Sequence, residues 1–350
     1  MTKRIVIMAG GTGGHVFPAL AVAETLIENG WQVSWLGTHK GLESRVIPER
    51  GIEIDWLAVA GVRGKGLLSK VSAVGKLMQA CVQAARILRQ RKPDVVLGMG
   101  GFVAGPGGAM AKLMGIPLVI HEQNRIPGTT NRLLASHATR VLEAFPDSFK
   151  PSVKATCTGN PLRKAFLTTK AKKQREDAHI KLLIIGGSQG AQILNEIVPL
   201  AVANLADLQI KHQTGAAMQE QVAEHYRQLG IDADVNAFFA DMVSIYQWAD
   251  VIIARAGAMT VSEVSALGLA AVFIPLPSAI DDHQTANARY LSDHHASILL
   301  PQKDLTAQSL ATAIQQAVQQ QSELSQAARQ LARLNATEVV ASICSEVAGQ

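Results

Sequence analysis

The chain has 350 residues, 48% of them hydrophobic and 17% charged. That is enough apolar material for two cores of roughly 150 residues each, and it excludes global disorder. The net charge of +5 is uneven: residues 1–160 hold 19 Lys+Arg against 10 Asp+Glu, a net of +9, and the rest hold 14 against 18, a net of −4. An anionic surface would therefore be met by the first half. Cys81, Cys157 and Cys344 are far apart and odd in number, which excludes a disulfide framework, and no pair has zinc spacing.

The first strand, Ile5–Met8, begins without a preceding leader, so a cytosolic location is expected. It runs into GGTGGH (10–15) and a helix. Glycines let backbone approach a ligand, and the free amides of a helix start attract anions. A dinucleotide fits poorly: Gly11-Thr12-Gly13-Gly14-His15-Val16 lacks the third glycine of the fingerprint, and the strand Val33–Leu36 leads into Gly37-Thr38-His39 without an acidic residue. No Gly-Lys-Ser/Thr follows any glycine loop, which excludes a Walker A site.

Trp56 to Pro93 contains no acidic residue but carries Arg63, Lys65, Lys70, Lys76, Arg86, Arg89, Arg91 and Lys92. Leu67, Val71, Val74, Met78, Cys81, Ala85 and Leu88 recur there at helical spacing, and the stripe is expected to face the core. Residues 95–120 are apolar but broken by glycines and two prolines. They read as strand (Val95–Leu97), turn, helix and strand (Leu118–Ile120) rather than a membrane span. A link is expected near 145–165, marked by Pro146, Pro151, Gly159 and Pro161.

The second half repeats the pattern: Leu182–Ile185, GGSQGA (186–191), Val251–Ile253, ARAGAMTVSE (254–263) and Ala271–Ile274. Arg255 and the small residues after it suit a phosphate, and Glu263 one helical turn on suits the hydroxyls of a ribose. The competing reading is a helix start capped by Thr260 or Ser262, with Glu263 in a capping role. Asp232-Ala233-Asp234 matches a metal-binding D-x-D, but its setting is that of a solvated turn. Residues 306–333 read as Ala/Gln-rich helix with Thr306 as N-cap and no chemistry of their own.

Runs apolar at consecutive positions suit strands covered on both faces. The fold class expected is α/β, two Rossmann-like domains with parallel sheets facing across a cleft, with ligands beyond the strands' carboxyl ends.

Seven blocks in order carry a resemblance: GGTGGHVFPALAVA (10–23), GMGGFVAGPGG (98–108), HEQNRIPGTTNRLLA (121–135), GNPLR (159–163), GGSQGA (186–191), ARAGAMTVSE (254–263) and DDHQTANA (281–288). Together they resemble the GT-B glycosyltransferases and, within them, family 28. The resemblance implies transfer of N-acetylglucosamine from UDP-N-acetylglucosamine to a lipid-linked muramyl-pentapeptide in peptidoglycan synthesis, with inversion and with no cofactor or metal required. It implies an N-terminal domain over 1–160, a nucleotide domain over 161–335, and a terminal helix over 336–350 packed back on the first. Ser188, Phe239 through its backbone, Ala258, Met259, Thr260, Val261, Ser262 and Glu263 would hold the uridine nucleotide. Arg163 and Ser188 would lie near the diphosphate with Arg255, and Gln284 and Asn124 would contact the sugar. Thr12, Gly13 and Gly14 would face the reaction centre, and Phe102 stands where relatives often have tyrosine.

An inverting displacement needs a base for the acceptor hydroxyl. His15 is the candidate, because a helix N-terminus favours the neutral, basic imidazole. Glu122 and His121 are alternatives that could instead orient their loop. Partners implied are the sugar nucleotide, the lipid acceptor, the anionic cytoplasmic face of the cell membrane through the basic segment 63–92, and proteins of cell-wall synthesis or division. Nucleic acid is not expected, since aromatic residues at 4% give few stacking platforms. A UDP-N-acetylglucosamine 2-epimerase of the same architecture is the nearest rival, disfavoured by the HEQN block and the basic window. A non-catalytic membrane-surface adaptor would leave the paired glycine loops unexplained.

Overall fold

The structure, a computed structural model, describes residues 2–58, 67–168, 179–187 and 190–349, with backbone alone for 67–73 and 280. Ser188 of the second glycine loop and Arg63 and Lys65 of the basic window lie outside the described residues. The chain forms two compact units, Met1–Arg163 with Arg333–Gln350, and Lys164–Ala332.

The first unit is built on seven parallel strands in the order β3-β2-β1-β4-β5-β6-β7. They are β1 (Arg4–Met8), β2 (Gln32–Gly37), β3 (Glu53–Trp56), β4 (Val95–Gly98), β5 (Leu118–Glu122), β6 (Arg140–Glu143) and β7 (Thr156–Cys157). Alternation in β1 explains why its run is apolar throughout. Ile5 and Ile7 enter one core with Val16, Leu20 and Leu26 of helix Gly13–Glu28, while Val6 and Met8 enter the opposite core with Ala84, Leu88 and Ala104. The terminal helix Ala336–Val347 supplies Val340, Ala341, Cys344 and Val347 to the first of these cores.

Helix Leu67–Arg91 corrects two expectations. Ala80, Ala84, Ala85 and Leu88 are buried, but Val74, Leu77, Met78 and Val82 are 51–66% exposed, so of the stripe Ala85 and Leu88 face the core while Val74 and Met78 do not. Arg91 is no free surface cation: its Nε donates to Asp55 Oδ2 at 2.7 Å and its Nη1 to Glu53, and hydrogen bonding to Asp55 holds its guanidinium above the usual arginine range.

The second unit has six parallel strands in the order β10-β9-β8-β11-β12-β13. They are β8 (Ile180–Ile185), β9 (Leu208–Gln213), β10 (Ala233–Asn236), β11 (Val251–Ala254), β12 (Ala270–Phe273) and β13 (Ile298–Leu299). Leu182, Ile184, Val251, Ile253 and Val272 pack with Leu194, Val198, Leu310 and Ile314 from flanking helices. The stretch 306–333 is two helices, Ala307–Gln319 and Gln321–Leu331, rather than one; the first is capped by Thr306, whose Oγ1 accepts from Ser309 N–H at 3.0 Å. The D-x-D segment is no turn. Asp234 lies in edge strand β10, where it accepts from Lys211 Nζ and Asn236 Nδ2, both at 2.6 Å.

Each sheet reverses its order beside its first strand, between β1 and β4 and between β8 and β11. Ligands of open parallel sheets bind outside the strand ends at such a point. Both glycine loops lie there.

Candidate active site

In the first unit the loop after β1 enters helix Gly13–Glu28 with Thr12 as an extended N-cap that makes no side-chain cap. His15 and Val16 donate N–H to Thr12 O, so Thr12, Gly13 and Gly14 present the first turn of the helix, where backbone donors lack intrahelical partners. The loop is pinned by Glu43, a fully buried carboxylate: Gly11 N–H donates to Oε2 at 2.9 Å, and Thr38 N–H and Oγ1–H donate to Oε1 at 2.9 and 2.8 Å. From the other side, Gly101 (φ +80) comes so close that a Cβ there would sit 2.5 Å from Gly10 O, and a Cβ on Gly100 would press on the His15 ring at 3.0 Å.

His15 Nδ1 lies 2.7 Å from Gln123 Oε1. Gln123, 1% exposed, donates from Nε2 to His121 O at 2.9 Å and meets His121 Nδ1 at 3.0 Å. His121 Nε2 reaches Gly159 O at 2.9 Å. Burial lowers the His121 imidazole to about 4, against the raising effects of its bond to Gly159 and of the Glu122 charge, so it is neutral near pH 7. Four of the sequence blocks (10–23, 98–108, 121–135 and 159–163) thus meet around two imidazoles, His15 and His121, joined through Gln123.

Glu122 is not placed as a base. Its buried carboxylate accepts from Asn124 N–H and Nδ2–H at Oε1 (2.9 and 3.3 Å) and from Gly128 N–H and Asn131 Nδ2–H at Oε2 (3.0 and 2.9 Å). Four donors fix it as the staple of the loop that carries Asn124. Arg163 closes the unit with its guanidinium carbon 5.3 Å from the Phe17 ring centroid.

In the second unit a cavity of about 570 Å³ opens at the switch point, lined by Gly186, Gly187, Gly190, Arg255, Thr260 and Gln284 among others. Gly190 (φ +75) leaves no room for a side chain, since a Cβ would lie 2.0 Å from Thr214 O. Arg255 Nη1 donates to Ile274 O and Pro275 O at 3.0 and 3.1 Å, which seats the guanidinium on the end of β12 instead of leaving it wholly to a ligand. Burial lowers its pKa. Gln284, which lines the cavity, accepts at Oε1 from Leu276 N–H at 3.0 Å.

Helix Ala258–Leu267 has Gly257 as N-cap with no side-chain cap, so neither Thr260 nor Ser262 caps it. Ala258 and Val261 are buried, and Val261 at 1% exposure has no side-chain surface to offer a nucleotide. Met259 and Ser262 are half-buried. Glu263, in the second turn, accepts from Tyr246 Oη–H at 3.2 Å. The Phe239 N–H donates to Gln213 Oε1 at 3.1 Å, so that backbone group is taken up within the protein.

Sequence reasoning missed Glu43, Gln123 and Gln213. The last, 2% exposed, donates Nε2–H to Gly187 O at 3.1 Å and so ties the glycine loop to Phe239. The one signal that points to Gln123 and Gln213 is a run of polar residues at a strand's carboxyl end, HEQN (121–124) and KHQT (211–214); Glu43 has none.

Two parallel, doubly wound sheets in one chain, each with a glycine loop at its switch point, define the GT-B class of glycosyltransferases. The family models agree: the glycosyltransferase family 28 N-terminal domain matches residues 5–143 and the family 28 C-terminal domain residues 181–343. The chain belongs to glycosyltransferase family 28. It is 57% identical over 355 residues, covering all of both chains, to a Methylococcus capsulatus protein named UDP-N-acetylglucosamine–N-acetylmuramyl-(pentapeptide) pyrophosphoryl-undecaprenol N-acetylglucosamine transferase. A Shewanella amazonensis protein of the same name is 48% identical, over 99% of this chain and 98% of its own. The crystal structure of Acinetobacter baumannii MurG matches with a TM-score of 0.84 and 41% identity, over 98% of this chain and 99% of that one.

Proposed function

We propose that the chain is an inverting transferase that moves N-acetylglucosamine from UDP-N-acetylglucosamine to undecaprenyl-pyrophosphoryl-N-acetylmuramyl-pentapeptide, a step of peptidoglycan synthesis. The observation that carries this reading is the cavity of the second unit, bounded by backbone-rich loops with Arg255, Thr260 and Gln284, in a chain related over its whole length to transferases of that name. The acceptor oxygen bonds to the anomeric carbon as the bond to the diphosphate breaks. The acceptor proton passes to His15 Nε2, which has no hydrogen bond among the described residues. UDP leaves with its charge met by the amides of Gly187 and Ala191, the start of helix Ala258–Leu267 and Arg255. This scheme uses no metal, and the Asp234 carboxylate is engaged by Lys211 and Asn236. Loss of turnover in chelator, restored by a divalent ion, would overturn that part.

The test is label transfer from radioactive UDP-N-acetylglucosamine into a butanol-extractable lipid, with UDP-glucose as control. Label from both donors, or from neither, sinks the assignment.

The acceptor is lipid-linked, and the first unit is proposed to dock on the anionic cytoplasmic face of the membrane. Among the described residues no helix is long and apolar enough to cross it. The exposed Val74, Leu77, Met78 and Val82 share helix Leu67–Arg91 with exposed Lys76, Arg86 and Arg89, and each such cation contributes about 1 kcal/mol near an anionic surface. Binding to phosphatidylglycerol vesicles should fall as salt rises. Equal binding to neutral vesicles defeats the electrostatic component.

A further inference from the structure

We infer that Gln123 and His121 are positioning residues that fix which nitrogen of His15 carries the proton, through a one-way chain of hydrogen bonds anchored on the backbone carbonyl of Gly159. The inference deepens the reading of His15 as the base and rests on it.

The direction of the chain follows from which atoms can only accept. A carbonyl oxygen has no proton, so at the Gly159 end His121 Nε2 must be the donor, at 2.9 Å. A neutral imidazole carries one N–H, so His121 Nδ1 is then a lone pair. That imidazole is neutral: it is 0% exposed, and burial lowers it to about 4.

Gln123 faces two acceptors on one side, His121 Nδ1 at 3.0 Å and His121 O at 2.9 Å. Only its NH₂ group satisfies both. The amide orientation is therefore set by the network, and the flipped form would bring oxygen against two acceptors. Its own backbone is held as well, since Asn160 Nδ2 donates to Gln123 O at 3.0 Å. The remaining amide atom, Oε1, can only accept, and it lies 2.7 Å from His15 Nδ1.

His15 Nδ1 must then carry the proton, and Nε2 is left as the basic lone pair with no hydrogen bond among the described residues. The proton on one ring nitrogen is set by the bond that nitrogen makes. Here the bond is to a neutral amide instead of a carboxylate, so the lone pair is aimed without a buried charge behind the ring. Gly100 against the other side of the ring limits its rotation.

The test uses full-length protein labelled with ¹⁵N at histidine. Imidazole nitrogen shifts report the tautomer directly, and the His15→Gln spectrum assigns the signals. In the unsubstituted protein His15 should show a protonated Nδ1 and a bare Nε2. In Gln123→Met, close in volume and only a weak acceptor, the protonated nitrogen should become Nε2, and kcat should fall about 10²-fold with little change in KM for the sugar nucleotide. Gln123→Glu keeps an acceptor at His15 Nδ1 and adds a charge, while its second oxygen loses the two bonds to His121 Nδ1 and O, so it should lower stability yet retain the Nδ1–H tautomer of His15 and move the acid limb of the kcat/KM profile up by about one pH unit. A purely structural role predicts neither the tautomer change nor the shifted limb. A protonated Nε2 in the unsubstituted protein, or a tautomer indifferent to Gln123→Met, overturns the inference whatever the activity. A tautomer that switches as expected while kcat stays unchanged leaves the relay standing and removes His15 from the chemistry.

Discussion

The two units hang a glycine loop on the same topological feature but tie it down to different ends. In the first, Glu43 grips the loop at Gly11, and Gln123, buried just past the end of β5, reaches the His15 ring. In the second, Gln213, buried at the end of β9, joins two backbone groups, Gly187 O and Phe239 N–H. A network that ends on backbone can shape a cavity for an anion or a ring. A network that ends on imidazole also orients a ring nitrogen with a lone pair. On the proposed roles of His15 and the second-unit cavity, the same architecture would serve chemistry in one unit and binding in the other, with the last atom of each network deciding which.

That comparison can be broken by experiment. The largest effect is expected from His15→Ala, which should lower kcat by about 10²–10⁴-fold while calorimetric affinity for UDP-N-acetylglucosamine stays close to normal. Near-normal turnover would leave the first unit without its reactive end. Glu122→Ala comes next. It removes the acceptor of Asn124, Gly128 and Asn131, of which Asn131 alone is buried, and urea unfolding should show a loss of about 1–3 kcal/mol, the cost of one buried donor left without its partner. Unchanged stability would reopen Glu122 as a catalytic group. Gln213→Leu should act on binding alone, raising the Kd for UDP about tenfold, about 1.4 kcal/mol, with kcat at saturating donor held within about twofold of normal. A fall in saturated kcat would blur the division between the units.

How far the sequence could carry this differs by level. Strands such as Ile5–Met8 and Val251–Ile253 are legible because a parallel strand covered on both faces must be apolar at every position. The glycine loops follow, since they join those strands to helices. The relay is not legible: His15 and Gln123 are 108 residues apart, and only the packing of β1, β4 and β5 brings them to 2.7 Å. Periodicity also fails on helix Leu67–Arg91. It finds an apolar stripe but not where along the helix the stripe loses its cover, so exposed Val74 and Met78 look the same as buried Leu88. Arg91 is a similar case: it counts as surface charge in the sequence, whereas in the fold it is paired with Asp55 and Glu53, both of β3.

The smallest effect near neutrality comes from two buried imidazoles, one in each unit. Burial lowers His121 to about 4 and His212 to about 3. His212 Nδ1 meets Tyr226 Oη at 3.1 Å, while its Nε2 is buried without a hydrogen-bond partner. Both are neutral when folded and have an ordinary value of about 6.5 when unfolded. Since the unfolded chain takes up the proton first, each contributes stability that is complete above about pH 6.5 and is lost as pH falls, at about 1.4 kcal/mol per pH unit and imidazole. At pH 6 the loss is only about 0.7 kcal/mol each. The two then separate, because the decline due to His121 levels off near pH 4 and that due to His212 continues to about pH 3. Urea midpoints measured against pH should therefore flatten down to pH 3 in His212→Phe, but only down to pH 4 in His121→Gln. If neither substitution changes the acid slope, these rings are not what makes the folded chain acid-sensitive, and the neutral His121 on which the His15 tautomer depends would need another explanation.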